Sequence, residues 1–231
     1  MKLNDEEHIE GGGKIRSFIL GFNDGLISTF TLLVGVAAAT IIATGGNTFV
    51  ILTGIAAMVS GSVSMGLGEY ISSKSEAAYI KNEIEREEAE IKLFPNEEKE
   101  EVREIFKDMS FEGDLLEKSV EKIVSNKKIW IDFLTKSELG LEEPGNPIIG
   151  ALITFLAFVF GNSISLFPYF FNFGMFSLVL SSIISFSMLF IAGVLKTRIT
   201  GEKPWKGGLE MVLIGVVAFI ISYTVGLFLE P

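Results

Sequence analysis

Hydrophobic and polar positions are segregated along this chain rather than interleaved. Residues Asp24 to Ala43 read DGLISTFTLLVGVAAATIIA, about the 20 residues that a bilayer core requires. The tight turn Thr44-Gly-Gly-Asn-Thr48 separates this run from a second, over about residues 50–70. Three more apolar runs follow, at about 148–167, 176–195 and 209–229. The pattern predicts an all-α, polytopic membrane protein with five transmembrane helices and a polar helical insert between spans 2 and 3. The segments are then a flexible tail over 1–13, spans 1 and 2 within 14–70, the insert over 71–146, and spans 3 to 5 within 147–231. Residues 14–23, KIRSFILGFN, are amphipathic enough to lie at the interface or to begin the first helix.

Inside the insert the second span continues without a breaker until Pro95-Asn96. A helix restarts over 97–106, and two short amphipathic helices are predicted over 115–124 and 127–139. Asp114 is the N-cap candidate of the first of these. Glu143-Pro-Gly-Asn-Pro147 closes the insert. The second span carries Gly54, Gly61, Ser64, Gly66 and Gly68, small residues that let membrane helices approach closely.

Composition narrows the function classes. The chain is 48% hydrophobic and 21% charged, against about 25% charged in a soluble domain. With no cysteine, disulfides, thiolate zinc sites, iron–sulfur clusters and cysteine nucleophiles are excluded. The one histidine, His8, reads as a solvated tail residue, which leaves histidine metal sites and Ser-His-Asp chemistry without material. A net charge of −10 argues against nucleic acid as a partner, since that needs a basic footprint. The N-terminus has no apolar stretch after Lys2 and is not a secretory signal peptide. All 19 Lys and Arg fall in the N-terminal tail, the insert or the segment after span 4. With five spans these segments share one side, so the positive-inside rule puts the N-terminus and insert in the cytosol and the C-terminus opposite.

Three acidic residues lie in or at the ends of apolar runs: Asp24, Glu69 and Glu210. A charge at mid-bilayer costs roughly 3 kcal/mol or more, so such residues face a cavity or partner unless they reach interfacial water. Met65 is four residues before Glu69, on the same helical face. A thioether beside carboxylates suits a first-row divalent metal better than Mg²⁺ or Ca²⁺, although a methionine there also serves as packing. In the insert Glu87 and Glu90 are three apart on one helix, and Glu98 and Glu101 repeat the spacing on the next. A turn at Leu93-Phe94-Pro95-Asn96 would bring them together as an oxygen-rich cation site. The spacing alone fits a solvated acidic helix pair equally well.

These residues also carry a resemblance. Gly21-Phe-Asn-Asp24-Gly-Leu-Ile-Ser-Thr-Phe-Thr-Leu-Leu-Val-Gly-Val-Ala resembles the first-span signature of the vacuolar iron transporter family. Ser64-Met65-Gly-Leu-Gly-Glu69-Tyr-Ile-Ser is similar to its second. Glu138-Leu-Gly-Leu-Glu-Glu-Pro144 and Gly207-Gly-Leu-Glu210-Met211 extend the likeness to the end of the insert and the start of the last span. The resemblance implies a homodimer that exports Fe²⁺, often Mn²⁺, from the cytosol in exchange for protons. It places Asp24, Met65 and Glu69 on a translocation path between the first and second spans of two subunits. It implies metal binding in the insert by Glu87, Glu90, Glu98, Glu101 and Glu138. Where some relatives have a methionine pair shortly before the last of these, this chain has Leu134 and Thr135, which leaves a harder, all-oxygen site.

The expected function is therefore proton-coupled Fe²⁺ export, with no cofactor beyond the carried divalent metal (Fe²⁺, or Mn²⁺, Zn²⁺, Co²⁺). The partners are metal, protons, the lipid bilayer and a second copy. The expected location is the cell membrane in a prokaryote and the vacuolar membrane in a eukaryote. The rival readings are a passive divalent-metal channel, a membrane-bound metal sensor and a di-iron oxidase. The last is disfavoured because such sites use Glu-x-x-His pairs and the insert has no histidine.

Overall fold

The structure, a computed structural model, describes residues 12–44, 46–137, 145–200 and 203–228. The described elements are helical: α1 (Gly12–Thr44), α2 (Thr48–Leu93), α3 (Pro95–Asp108), α4 (Gly113–Val124), α5 (Lys127–Ser137), α6 (Pro147–Leu166), a short 3₁₀ helix (Phe167–Phe171), α7 (Met175–Thr200) and α8 (Pro204–Phe228). Five of them, α1, α2, α6 with its 3₁₀ extension, α7 and α8, are long and apolar enough to cross a membrane. Helices satisfy every backbone group internally, which is what lipid demands. Two compact units result, residues 1–71 with 147–231, and residues 72–146.

Helix α2 runs unbroken through 46 residues. At 1.5 Å per residue that is ~69 Å, about twice the ~30 Å of a hydrocarbon core. Half of it must therefore lie outside the apolar layer, and that is the half where the sequence turns acidic.

Glycines set the packing of the first unit. A Cβ on Gly25 of α1 would come within 2.9 Å of the Phe158 carbonyl carbon of α6 and closer to its oxygen. A Cβ on Gly161 of α6 would lie 2.8 Å from the Leu26 nitrogen. These two helices are thus in backbone contact. An adjoining flank of α6 faces α2, where Gly54 meets Leu166, Gly61 meets Phe158 and Gly66 meets Phe155. Gly35 and Gly226 bring α1 against α8, and Gly193 and Gly207 bring α7 against α8. Apolar residues Phe30, Leu33, Val34, Val50, Leu166 and Tyr169 form the main cluster.

Buried polar side chains cross-link the helices. Asn162 Nδ2 of α6 donates to Thr29 Oγ1 of α1 at 2.6 Å, and Ser181 Oγ of α7 donates to the Ser165 carbonyl of α6 at 2.7 Å. Between α1 and α2, Asn47 is fully buried and donates through Nδ2 to the Tyr169 carbonyl at 3.0 Å and to Ser177 Oγ at 2.8 Å. Asn47→Ala removes both of these buried bonds, so it is expected to lower stability by ~2 kcal/mol, seen as an earlier thermal unfolding midpoint in detergent micelles.

The second unit has its own core of Ile91, Val102, Phe106, Leu116, Val120, Trp130 and Leu134. Ion pairs edge it. Arg103 donates to both carboxylate oxygens of Glu117, each at 3.0 Å. That hydrogen bonding holds the Glu117 carboxyl below its ordinary range.

Several boundaries differ from the sequence reading. Helix α1 starts at Gly12, inside the segment read as tail; residues 14–23 begin the helix, one of the two readings open to them, and Asp24 falls well within it. Residues 167–171 form a 3₁₀ helix that carries α6 past the end read for span 3. Helix α7 continues to Thr200 through Lys196 and Arg198, and α8 starts at Pro204. Lysine and arginine are good helix formers and proline is suited to a first helical position, so helix takes up most of the charged segment. Asp114 is no cap: Glu112 holds that position without a side-chain bond, and Asp114 receives a 2.6 Å bond from Lys118 one turn on. His8 and Glu138 lie outside the described residues.

Candidate functional site

In the first unit the sequence-predicted residues sit on two helices. Asp24 is an exposed position in the span Gly13–Ile41. Exposed Leu20 and Leu32 flank it along α1, and Ser28 Oγ donates to its backbone carbonyl. Met65 and Glu69 are half-buried on α2, one turn apart. Their face also carries Gly54, Met58 and Gly61, and this face lies against α6: Ser163 Oγ approaches Met58 Sδ at 3.9 Å, and Phe158 covers Gly61. Met65 is therefore both a residue of a packed helix face and a neighbour of the carboxylate. Glu210 is exposed in α8, one turn after Lys206.

Glu69 has a partner that sequence reasoning missed. Ser17 Oγ of α1 donates to Glu69 Oε1 at 2.7 Å, and Ser17 is almost fully buried, 4% exposed. Gly150 of α6 adjoins the same oxygen, so that a Cβ built there would come within 3.1 Å of it. Three helices thus meet at one carboxylate. Ser17 precedes Asp24 by seven residues, two helical turns, and so shares its side of α1. The seven-residue spacing was the only trace of this in the sequence, and serine is too common for it to stand out.

In the second unit Glu87 and Glu98 are only 4% and 5% exposed. Glu87 precedes Ile91 by one turn and Glu98 precedes Val102 by one turn, so both carboxylates continue the buried rows of the insert's core. Glutamate is almost never buried this deeply without a compensating charge, because desolvating the ionised form costs several kcal/mol. A solvated acidic face does not describe these two. Glu90 is half-buried and accepts a 3.1 Å bond from Arg86, which also pairs with Glu83 at 3.8 Å. Glu101 is half-buried. Among the described residues no three acidic or histidine side chains stand close enough together to hold one ion; Glu138, the remaining member of the expected set, is outside them. Leu134 is wholly in the core, whereas Thr135 is 6% exposed, and its Oγ1 has no hydrogen-bond partner among the described residues. A hydroxyl there is a hard oxygen donor.

The arrangement joins an intramembrane acid, a carboxylate seated between three spans and an insert with two buried glutamates. A family model, that of the VIT family, matches residues 15–227. The chain belongs to that family. The vacuolar iron transporter of Centaurea cyanus is 36% identical over 96% of this chain and 91% of its own length. Vacuolar iron transporter 1 of Arabidopsis thaliana is 35% identical over 94% and 87%, and the vacuolar iron transporter of Plasmodium falciparum (isolate 3D7) is 30% identical over 97% and 85%. This VIT-family chain is an integral membrane transporter rather than an enzyme, and the di-iron oxidase alternative falls. The match takes in all five spans and the insert, so the positions of Asp24, Met65 and Glu69 lie inside it.

Proposed function

We propose that this chain moves Fe²⁺, and Mn²⁺ as well, out of the cytosol in exchange for protons, as a homodimer whose cytosolic glutamate-rich insert captures the metal. The observation that carries the reading is Asp24, a carboxylate exposed on the side of an apolar 29-residue span. Facing lipid it would be heavily penalised; facing the same surface of a second copy it would line a polar path. Met65 adds a soft sulfur donor to that path and Glu69 a second carboxylate, a combination that suits Fe²⁺.

The insert, with 20 acidic and 12 basic residues, draws divalent cations toward itself by its field. Glu87 and Glu98 offer desolvated oxygens there, Glu90 and Glu101 lie on the neighbouring turns, and Glu138 completes the set. Metal then passes to Asp24, Met65 and Glu69. Protons arriving from the far side discharge it, because a protonated carboxylate is a poor ligand. The close glycine contacts of α2 with α6 permit the sliding that alternating access needs.

Proteoliposomes loaded with an Fe²⁺-sensitive dye test the coupling. Fe²⁺ uptake is expected to rise with a pH gradient imposed across the vesicle and to drive counterflow of protons. Uptake indifferent to that gradient would instead mark a passive channel. A second measurement addresses capture: Glu87→Gln together with Glu98→Gln is expected to weaken Mn²⁺ binding by the full-length protein by at least ~10-fold in isothermal titration. Unchanged binding would remove the insert glutamates from the mechanism.

A further inference from the structure

The seat of Glu69 contains a residue that the transport reading does not use. Ser17 Oγ lies 2.7 Å from Glu69 Oε1 and 3.0 Å from the carbonyl oxygen of Gly13, one turn earlier on its own helix. A serine hydroxyl has one hydrogen, so it serves one of these acceptors at a time. The shorter distance is that of a bond to a charged oxygen. On the α6 side the seat is closed by Gly150, where even a methyl group would press on Oε1. Nearby, Thr154 Oγ1 of α6 lies 3.4 Å from the Ser17 carbonyl, and Gly21 brings α1 against the Thr154 backbone. Ser17 is therefore held in place by its own helix contacts, while its hydroxyl proton has two destinations.

We propose that Ser17 is a positioning residue for transport that acts through Glu69. Its hydroxyl latches α1 to α2 by holding the empty carboxylate, and an arriving divalent cation takes Oε1 from it. On release the hydroxyl turns to Gly13, where an ordinary intrahelical bond awaits it, so no buried donor is stranded. The bond to Glu69 re-forms once the metal has left. The hydroxyl thus competes with the metal for one oxygen and presents that oxygen in a fixed place. The inference rests on Glu69 being part of the path.

This makes an unusual prediction for the loss of a buried hydrogen bond. Ser17→Ala is expected to lower the apparent KM for Fe²⁺, by up to about tenfold for one charge-assisted bond, and to lower the maximal rate with it, because the carboxylate is no longer presented or re-latched. A residue needed only for stability would change the amount of active protein and leave KM alone. In a Glu69→Gln background Ser17→Ala should shift KM no further.

An infrared difference spectrum, recorded as Fe²⁺ is added to the full-length protein in lipid, reads the same contact without transport. The Glu69 carboxylate band, recognised by its loss in Glu69→Gln, should move in Ser17→Ala. An unchanged or raised KM, the same KM shift with and without Glu69, or an unmoved band each overturns the latch. Should wild-type vesicles carry no Fe²⁺, the transport reading fails on its own, and the infrared band still decides whether metal displaces Ser17 from Glu69.

Discussion

Replacing Asp24 by alanine is expected to reduce Fe²⁺ transport at least ~100-fold, the largest functional effect of any single change in this chain. Altering residues that merely orient a metal ligand commonly costs 10–100-fold, and Asp24 is expected to touch the metal itself. The carboxylate stands well inside α1, so nothing next to it on the helix can replace its charge: its exposed neighbours along that side, Leu20, Ser28 and Leu32, are uncharged. Asp24→Asn separates charge from shape. It keeps the side chain's size and should leave the unfolding midpoint in detergent near that of the wild type while transport is lost as in alanine. Dye-loaded proteoliposomes provide the measurement, with protein incorporation checked in the same vesicles. Asp24→Ala transporting at the wild-type rate would remove this residue from the path.

The second large effect is on folding. Gly25→Val should cost more than ~3 kcal/mol, beyond the usual range for overpacking. The atoms a Cβ would meet at Gly25 belong to the Phe158 backbone, with the carbonyl carbon at 2.9 Å. A flexible side chain can turn away from an added methyl group, whereas a helix backbone cannot. Helices α1 and α6 would have to separate, opening Leu26 and Ala157, which pack in one cluster beside that contact. The measurement is thermal loss of the monodisperse peak on size exclusion in detergent. Gly68→Val provides the control, since a Cβ there meets nothing within 4 Å and should cost little in isolated protein. Equal losses at the two positions would contradict the close α1–α6 contact.

Much of this was legible in the chain. The spans could be counted because lipid forces each crossing into a continuous apolar helix of known length, and five such helices are present among the described residues. Asp24, Met65 and Glu69 stood out because charge and sulfur are conspicuous against an apolar background. The boundaries were less legible. Gly12 and Gly13 are poor helix formers, yet they belong to α1, and the run from Lys196 to Lys206 reads as a loop although most of it is helix. At the two glycines local preference gave way to the continuation of a long helix.

The insert marks the division most clearly. By spacing, Glu87, Glu90, Glu98 and Glu101 are equivalent, and a solvated acidic surface explained them as well as a cation site did. Folding separates them: Glu87 and Glu98 fall in line with Ile91 and Val102 and are buried, while Glu90 is taken up by Arg86. Which carboxylate is desolvated depends on which helix face the core claims, and residue type alone does not decide that. The sequence by itself determined the all-helical membrane architecture and the count of spans, and it singled out the residues proposed to bind a metal, because each follows from local composition and helix period. Only the tertiary structure decided that Ser17 and Gly150 meet Glu69, since positions 17, 69 and 150 lie on three separate helices, and their meeting follows from the glycine contacts that set how close those helices come.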